Sequence, residues 1–164
     1  MTARIENQPA NLDGSARHGD VQGPITVTSA HIKSYEAALY WIDLPTGRIT
    51  LRIGQSFEPP RGIESLARLA VVTACNPFSR VFGEAENTAR QATLVEAVGA
   101  AGLEWFHAAG VDVQEKWAPE PSLAILDPSD QQLDSWMETF GQNAVVVAEA
   151  GGLALLRLHP RASC

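Results

Sequence analysis

The side chains in this sequence most suited to binding or reaction are four amides and one carboxylate. Asn76, Asn87, Gln142 and Asn143 each carry both a donor and an acceptor. Glu120 lies in the run Trp117-Ala118-Pro119-Glu120-Pro121, where two prolines stiffen the backbone around it. A tryptophan there could cover the face of a ligand. A carboxylate held beside it, away from water, would have its pKa raised and could serve as a general base. The plainer roles are Trp117 as a lid over the core and Glu120 as a solvated acid. Arg90 follows Asn87 by three residues near a helix start, where free N–H groups and a guanidinium could hold an anion. Glu84 and Glu86 occupy that same start and would repel one.

Other chemistries are poorly represented. No GxSxG, P-loop or GxGxxG occurs, so the common nucleophile and nucleotide signatures are missing. His18, His31, His107 and His159 are scattered, and only His107 with Asp112 and Glu115 could meet by accident of folding. No metal or cofactor is expected. Cys75 and Cys164 lack CxxC or Cys–His spacing and read as two reduced thiols.

The elements that must position these groups follow from periodicity. Tyr35–Leu44 and Ile49–Ile53, on either side of Pro45-Thr46-Gly47, read as a β-hairpin with one buried face. Pro59-Pro60 breaks the chain, and Ile63–Leu69 reads as a short helix. Ala70–Cys75 is a continuous apolar strand that stops at Asn76-Pro77, a residue pair that favours a turn. From Glu84 to Ala101, Ala85, Ala89, Ala92, Val95 and Val98 recur at steps of three and four, predicting a helix that ends at Gly102. Leu103–Phe106 and Leu123–Leu126 read as strands with a loop from 107 to 121 between them. Ser129-Asp130-Gln131-Gln132 is a capping box, opening a helix with Leu133, Trp136, Met137 and Phe140 on one side and Gly141 at its end. Ala144–Val147, a turn at Gly151-Gly152 and Leu153–Leu158 complete the series.

This order predicts an α+β fold: a mainly antiparallel sheet with two helices on one face, a ferredoxin-like split β-α-β-β-α-β core, and an N-terminal β-hairpin. In that topology one sheet edge collects Asn76, Ser79, Arg80, Asn87, Arg90, Trp117, Glu120, Ser122, Gln142 and Asn143. Asp127-Pro128-Ser129 falls on the opposite edge, where helix capping accounts for it. The expected ligand-binding set is therefore Asn76, Asn87, Arg90, Trp117, Gln142 and Asn143, with Glu120 as the catalytic group. Gln142 stands out because it has no evident backbone role, whereas Asn143 fits a left-handed position after a helix.

The runs AVVTACNPFSR (70–80), Glu86-Asn87 with Arg90, WAPEPS (117–122) and FGQNA (140–144) resemble an uncharacterised bacterial family, domain of unknown function 3293. The resemblance extends from Tyr35 to Leu158 and includes Leu51-Arg52-Ile53-Gly54 in the hairpin. It implies an aromatic in relatives where Cys75 stands and a tryptophan near Val147. It supplies no activity. It implies only that these polar positions belong to a shared pattern.

Composition limits the partners. The 164 residues hold 12 Lys+Arg against 19 Asp+Glu, a formal charge of −7, which suits neither a nucleic-acid binder nor an anionic ligand. Residues 1–30 are polar and read as a disordered tail without the apolar stretch of a secretory signal, and 31–160 as one domain. The expectation is a soluble, cytoplasmic protein with no membrane partner. It would bind a small, neutral, hydrogen-bonding molecule and, if an enzyme, act as a hydrolase. The alternative is a protein-interaction or regulatory module in which the same residues only brace loops.

Overall fold

The first helix owes its start to a local hydrogen-bond exchange. Thr28 Oγ1 accepts from His31 N at 3.2 Å, and Thr28 N donates back to His31 Nδ1 at 3.3 Å. The computed structural model describes residues 23–163. Its elements begin with β1 (Ile25–Thr26), α1 (Ser29–Ala37), β2 (Leu39–Leu44), β3 (Gly47–Leu51) and β4 (Arg68–Val72). A 3-10 turn at Pro77–Ser79 precedes α2 (Glu84–Ala100), β5 (Trp105–Val111), β6 (Glu120–Leu126) and α3 (Asp130–Phe140). The chain closes with β7 (Ala144–Glu149), β8 (Ala154–Leu158) and β9 (Ala162–Ser163).

Seven strands form one sheet in the order β3-β2-β5-β6-β4-β7-β8, with every neighbouring pair antiparallel. Residues of β4 alternate between two cores. Ala70 and Val72 join Leu94 and Val98 of α2, with Leu133, Trp136, Met137 and Phe140 of α3. Burying those four α3 side chains contributes about 1.5–3 kcal/mol each, which is what docks the helix. Leu69 and Val71 point the other way, toward Ile42, Leu51, Phe57 and Leu66. On that side the sheet curls. Residues 54–57 bond to 151–154 (Gly54 N to Ala154 O at 2.8 Å, Phe57 N to Gly152 O at 2.8 Å), so the chain leaving β3 meets the start of β8.

Several expectations need correcting. Ile25–Thr26 pairs in parallel with Ala162–Ser163 and α1 begins at Ser29; residues 1–22 of the expected tail, with His18, lie outside the described residues, as does Cys164. Tyr35–Ala37, read as strand, ends α1; that helix buries no residue and so leaves no apolar period to detect. Ile63–Leu69 is not a helix. Ile63 N bonds to Pro60 O and Leu66 N to Ile63 O, two consecutive tight turns after the prolines, and Arg68–Leu69 already belong to β4. The strand that was to reach Cys75 stops at Val72. Strand β5 runs on to Val111, because small Ala108 and Gly110 carry its buried face, and β6 starts at Glu120. The long loop is thus 112–119 rather than 107–121, and Glu120 sits on a strand. The hairpin, the Ser129–Gln132 capping box, Gly102 at positive φ and Gly141 as the left-handed C-cap are as read.

Candidate functional site

Strand register brings one set of chain segments to one end of the sheet. Val72 of β4 pairs with Leu123, Val71 with Val146, Gly110 with Glu120, and Leu39 with Val111. The exit of β4, the exit of β5 and the entries of β2, β6 and β7 therefore share this end. The turn after β4 takes an unusual path there. Asn76, Phe78 and Ser79 have φ of 48°, 53° and 59°, the left-handed region that costs non-glycine residues of order 1–3 kcal/mol each. A turn was the expectation at Asn76-Pro77, and a turn is what forms. Asparagine tolerates the left-handed region, and its side chain ties the turn together. Asn76 Oδ1 accepts from Phe82 N at 3.0 Å and Asn87 Nδ2 at 2.9 Å, while Asn76 N donates to Asn87 Oδ1 at 2.9 Å. Phe78 N donates to Gly141 O at 2.6 Å. A Cβ on Gly141 would stand 3.0 Å from Phe78 Cε2 and Pro77 Cβ, so the residue is fixed as glycine by both space and its φ of 67°.

This braced turn aims Asn76 Nδ2 at Glu120 Oε2, 2.7 Å away. Glu120 Oε1 has no hydrogen-bond partner among the described residues. Burial pushes the carboxyl above its ordinary pKa, and the Asn76 bond opposes this only in part. Tyr40 belongs to the same row across the sheet, Tyr40–Gly110–Glu120. Its hydroxyl donates to Tyr35 O at 2.9 Å, and its pKa is also raised, first by burial and then by Tyr35 and Glu120. Cys75 is buried, its thiol pushed up by the same desolvation, with Thr73 opposing.

Around this row lies a cavity of about 970 Å³. It runs down toward Val71, Val146 and Leu156 on the curled side, and Tyr35 of α1 and Trp117 of the 112–119 loop border it. Of the expected site residues, Asn76, Asn87, Trp117, Glu120, Gln142 and Asn143 all line the cavity. Arg90 does not. Its Nε donates to Ala74 O at 2.8 Å and its Nη2 to Phe140 O at 2.5 Å, joining the end of β4 to the end of α3. Gln142 also serves the backbone, since its Nε2 donates to Cys75 O at 2.9 Å and Phe140 O at 3.3 Å. Asn143 is not left-handed, because Gly141 takes that conformation. Its Nδ2 reaches Tyr35 Oη and Ser79 Oγ, both at 3.1 Å, and those two hydroxyls lie 2.8 Å apart.

Two comparisons with known proteins returned nothing: neither a curated protein nor a solved structure matches the chain. The third is positive. Residues 72–145 match DUF3293, a protein of unknown function. The resemblance read from the sequence is therefore shown over the stretch from the end of β4 to the start of β7.

The DUF3293 segment holds Asn76, Asn87, Trp117, Glu120, Gln142 and Asn143, and most of the residues that sequence reasoning missed come from outside it; Gln91 lies within it. Tyr35 and His31 lie on α1 and Tyr40 on β2. The alternation of the hairpin placed Tyr40 in a strand, yet only the pairing of β2 with β5 sets it beside Glu120. Two buried atoms of cavity-lining residues lack a partner among the described residues: Asn143 Oδ1 and Gln91 Nε2. No group of three His, Cys, Asp or Glu among the described residues is arranged to hold a metal ion. His107 stacks edge-on against Trp105, and Asp112 accepts from Gln114 N and Lys116 N. No helix among the described residues is long and apolar enough to cross a membrane.

Proposed function

We propose that the cavity is a small-molecule binding site in which Glu120 is the acid–base group. The carrying observation is the condition of that carboxyl. One oxygen is fixed by Asn76, the other has no partner among the described residues and lines a cavity of about 970 Å³, and burial raises the pKa of the group. Such a group takes a proton from an attacking water and returns it to a leaving group closer to neutral pH than a solvated glutamate does. Hydrolysis or a related transfer suits it. The expectation of a neutral, multiply hydrogen-bonded ligand rested on the amides, and most of their capacity is spent inside the protein. Recognition then falls to Glu120, Trp117 and the tyrosines. The net charge of −7 argues against nucleic acid as partner.

A protein-interaction or regulatory module is the second reading. The internal bonding of Asn76, Asn87, Arg90 and Gln142 favours it, as do Leu153 and Leu155 beside the edge strand β8, 51% and 57% exposed. We also read β4-α2-β5-β6-α3-β7 as a ferredoxin-like split core with both helices on one face. The order β5-β6-β4-β7 and the core shared by α2 and α3 support this.

Thermal-shift screening of small metabolites against the wild type and Glu120→Gln tests the main reading. At least one compound should raise Tm in the wild type, with the shift reduced in the variant. A screen without hits would favour the interaction module, and equal shifts in both proteins would remove Glu120 from the site.

A further inference from the structure

We infer that the ligand is an organic cation, an ammonium group on an apolar or aromatic body, seated between Tyr40, Trp117 and Glu120. This rests on the reading that the cavity is a small-molecule site. The first ground is charge. Among the described residues, those lining the cavity include two carboxylates, Glu84 and Glu120, and no lysine or arginine. Arg90, the cation expected at this site from the sequence, is committed to Ala74 O and Phe140 O. A buried carboxylate without a protein cation is stabilised in its charged form by a ligand that brings one.

The second ground is shape. Tyr40, Gly110 and Glu120 stand side by side on β2, β5 and β6. Glycine in the middle leaves a slot. A Cβ built there would lie 3.7 Å from Tyr40 Cε1 and 3.9 Å from Trp117 Cη2, so two aromatic rings border the slot next to the carboxylate. Aromatic faces attract ammonium groups, more strongly where water is excluded. The third ground is hydrogen bonding. Among the described residues Glu120 Oε1 has no protein partner and is open to a donor from the cavity side, while the buried unpartnered atoms at the cavity are one acceptor, Asn143 Oδ1, and one donor, Gln91 Nε2. An ammonium offers donors only.

Binding of a cation and ionisation of Glu120 are then coupled. The titratable groups lining the same space are His31 and Tyr35 from α1, Tyr40 from β2, Cys75 after β4 and Glu84 from α2. Of these, Tyr40 and Cys75 have their pKa raised, which moves both further from ionising. Affinity for a cation should fall as pH drops through the elevated pKa of Glu120, while affinity for a neutral analogue stays level.

The test compares 2-phenylethylamine with 2-phenylethanol, by calorimetry or chemical-shift titration on the full chain. At pH 8 the amine should bind at least tenfold more tightly, and its advantage should shrink on acidification. Glu120→Gln should abolish the preference while still binding the alcohol, and Gly110→Leu, which fills the slot, should block both probes. Equal binding of the two probes, or a preference retained in Glu120→Gln, would overturn the cation while leaving a small-molecule site. Binding of neither probe would overturn both readings.

Discussion

At the end of the sheet where β4 begins, Arg68 donates to Glu149 Oε1 at 2.6 Å, Asp130 Oδ1 at 2.7 Å and Pro128 O at 3.2 Å. Asp127, at a φ of 51°, accepts from Ala67 N and Arg68 N at 3.0 and 2.8 Å. The end where β4 stops also uses left-handed turns and side-chain caps, but the outcome differs. Asn76, Asn87, Arg90 and Gln142 bond to one another and the backbone, and among the described residues Glu120 is left with one oxygen without a protein partner and no lysine or arginine lining its cavity. The first end matches Arg68 with carboxylate partners in partly exposed positions, which ties the start of β4 to the end of β7 and the start of α3. The second uses its polar side chains to brace the turn that sets Asn76 against a half-buried acid. Left-handed positions of that kind cost stability.

The contrast can be broken most forcefully at Gly141. Gly141→Ala meets Phe78 and Pro77 at 3.0 Å and must hold a left-handed φ, so it should cost about 2–4 kcal/mol, read as a fall in the urea midpoint. An unchanged midpoint would mean that the 76–79 turn is not locked against α3.

Glu120→Gln gives the next effect, and its sign is the telling part. A carboxyl whose folded pKa is raised contributes stability that is present below its unfolded pKa and lost as pH rises through the folded value. Glutamine removes that loss. Thermal denaturation should therefore show the variant gaining on the wild type as pH climbs above the ordinary glutamate range, with the two converging in more acidic buffer. A variant that is less stable at neutral pH would contradict the strained acid. The smallest effect belongs to the other end. Glu149 is half exposed in its pair with Arg68, and Glu149→Gln should change stability by about 0.5 kcal/mol and weaken with salt.

Much of the Glu120 end was legible from residues alone, for identifiable reasons. Asn76-Pro77, the Ser129–Gln132 box and Gly141 announce strand and helix ends through local chemistry, and the alternation of apolar stretches placed their neighbours on one edge. What each amide bonds to was not legible. Gln142 reaches Cys75 O across 67 residues, a contact that exists only once β4 and α3 are docked. Helix α1 escaped because its capping box uses His31 where glutamate or glutamine is the usual signal, and because no apolar stripe marks it. Tyr40 entered the site through strand pairing, which periodicity in one strand does not reveal.

The central claim, that Glu120 is a desolvated acid facing a ligand cavity, is most directly tested by carbon-detected NMR titration of its carboxyl in the free protein. The carboxyl should titrate above the ordinary glutamate range, and higher still in Asn76→Ala, which removes the one bond that lowers it. A midpoint at the ordinary value, unmoved by Asn76→Ala, would contradict the account.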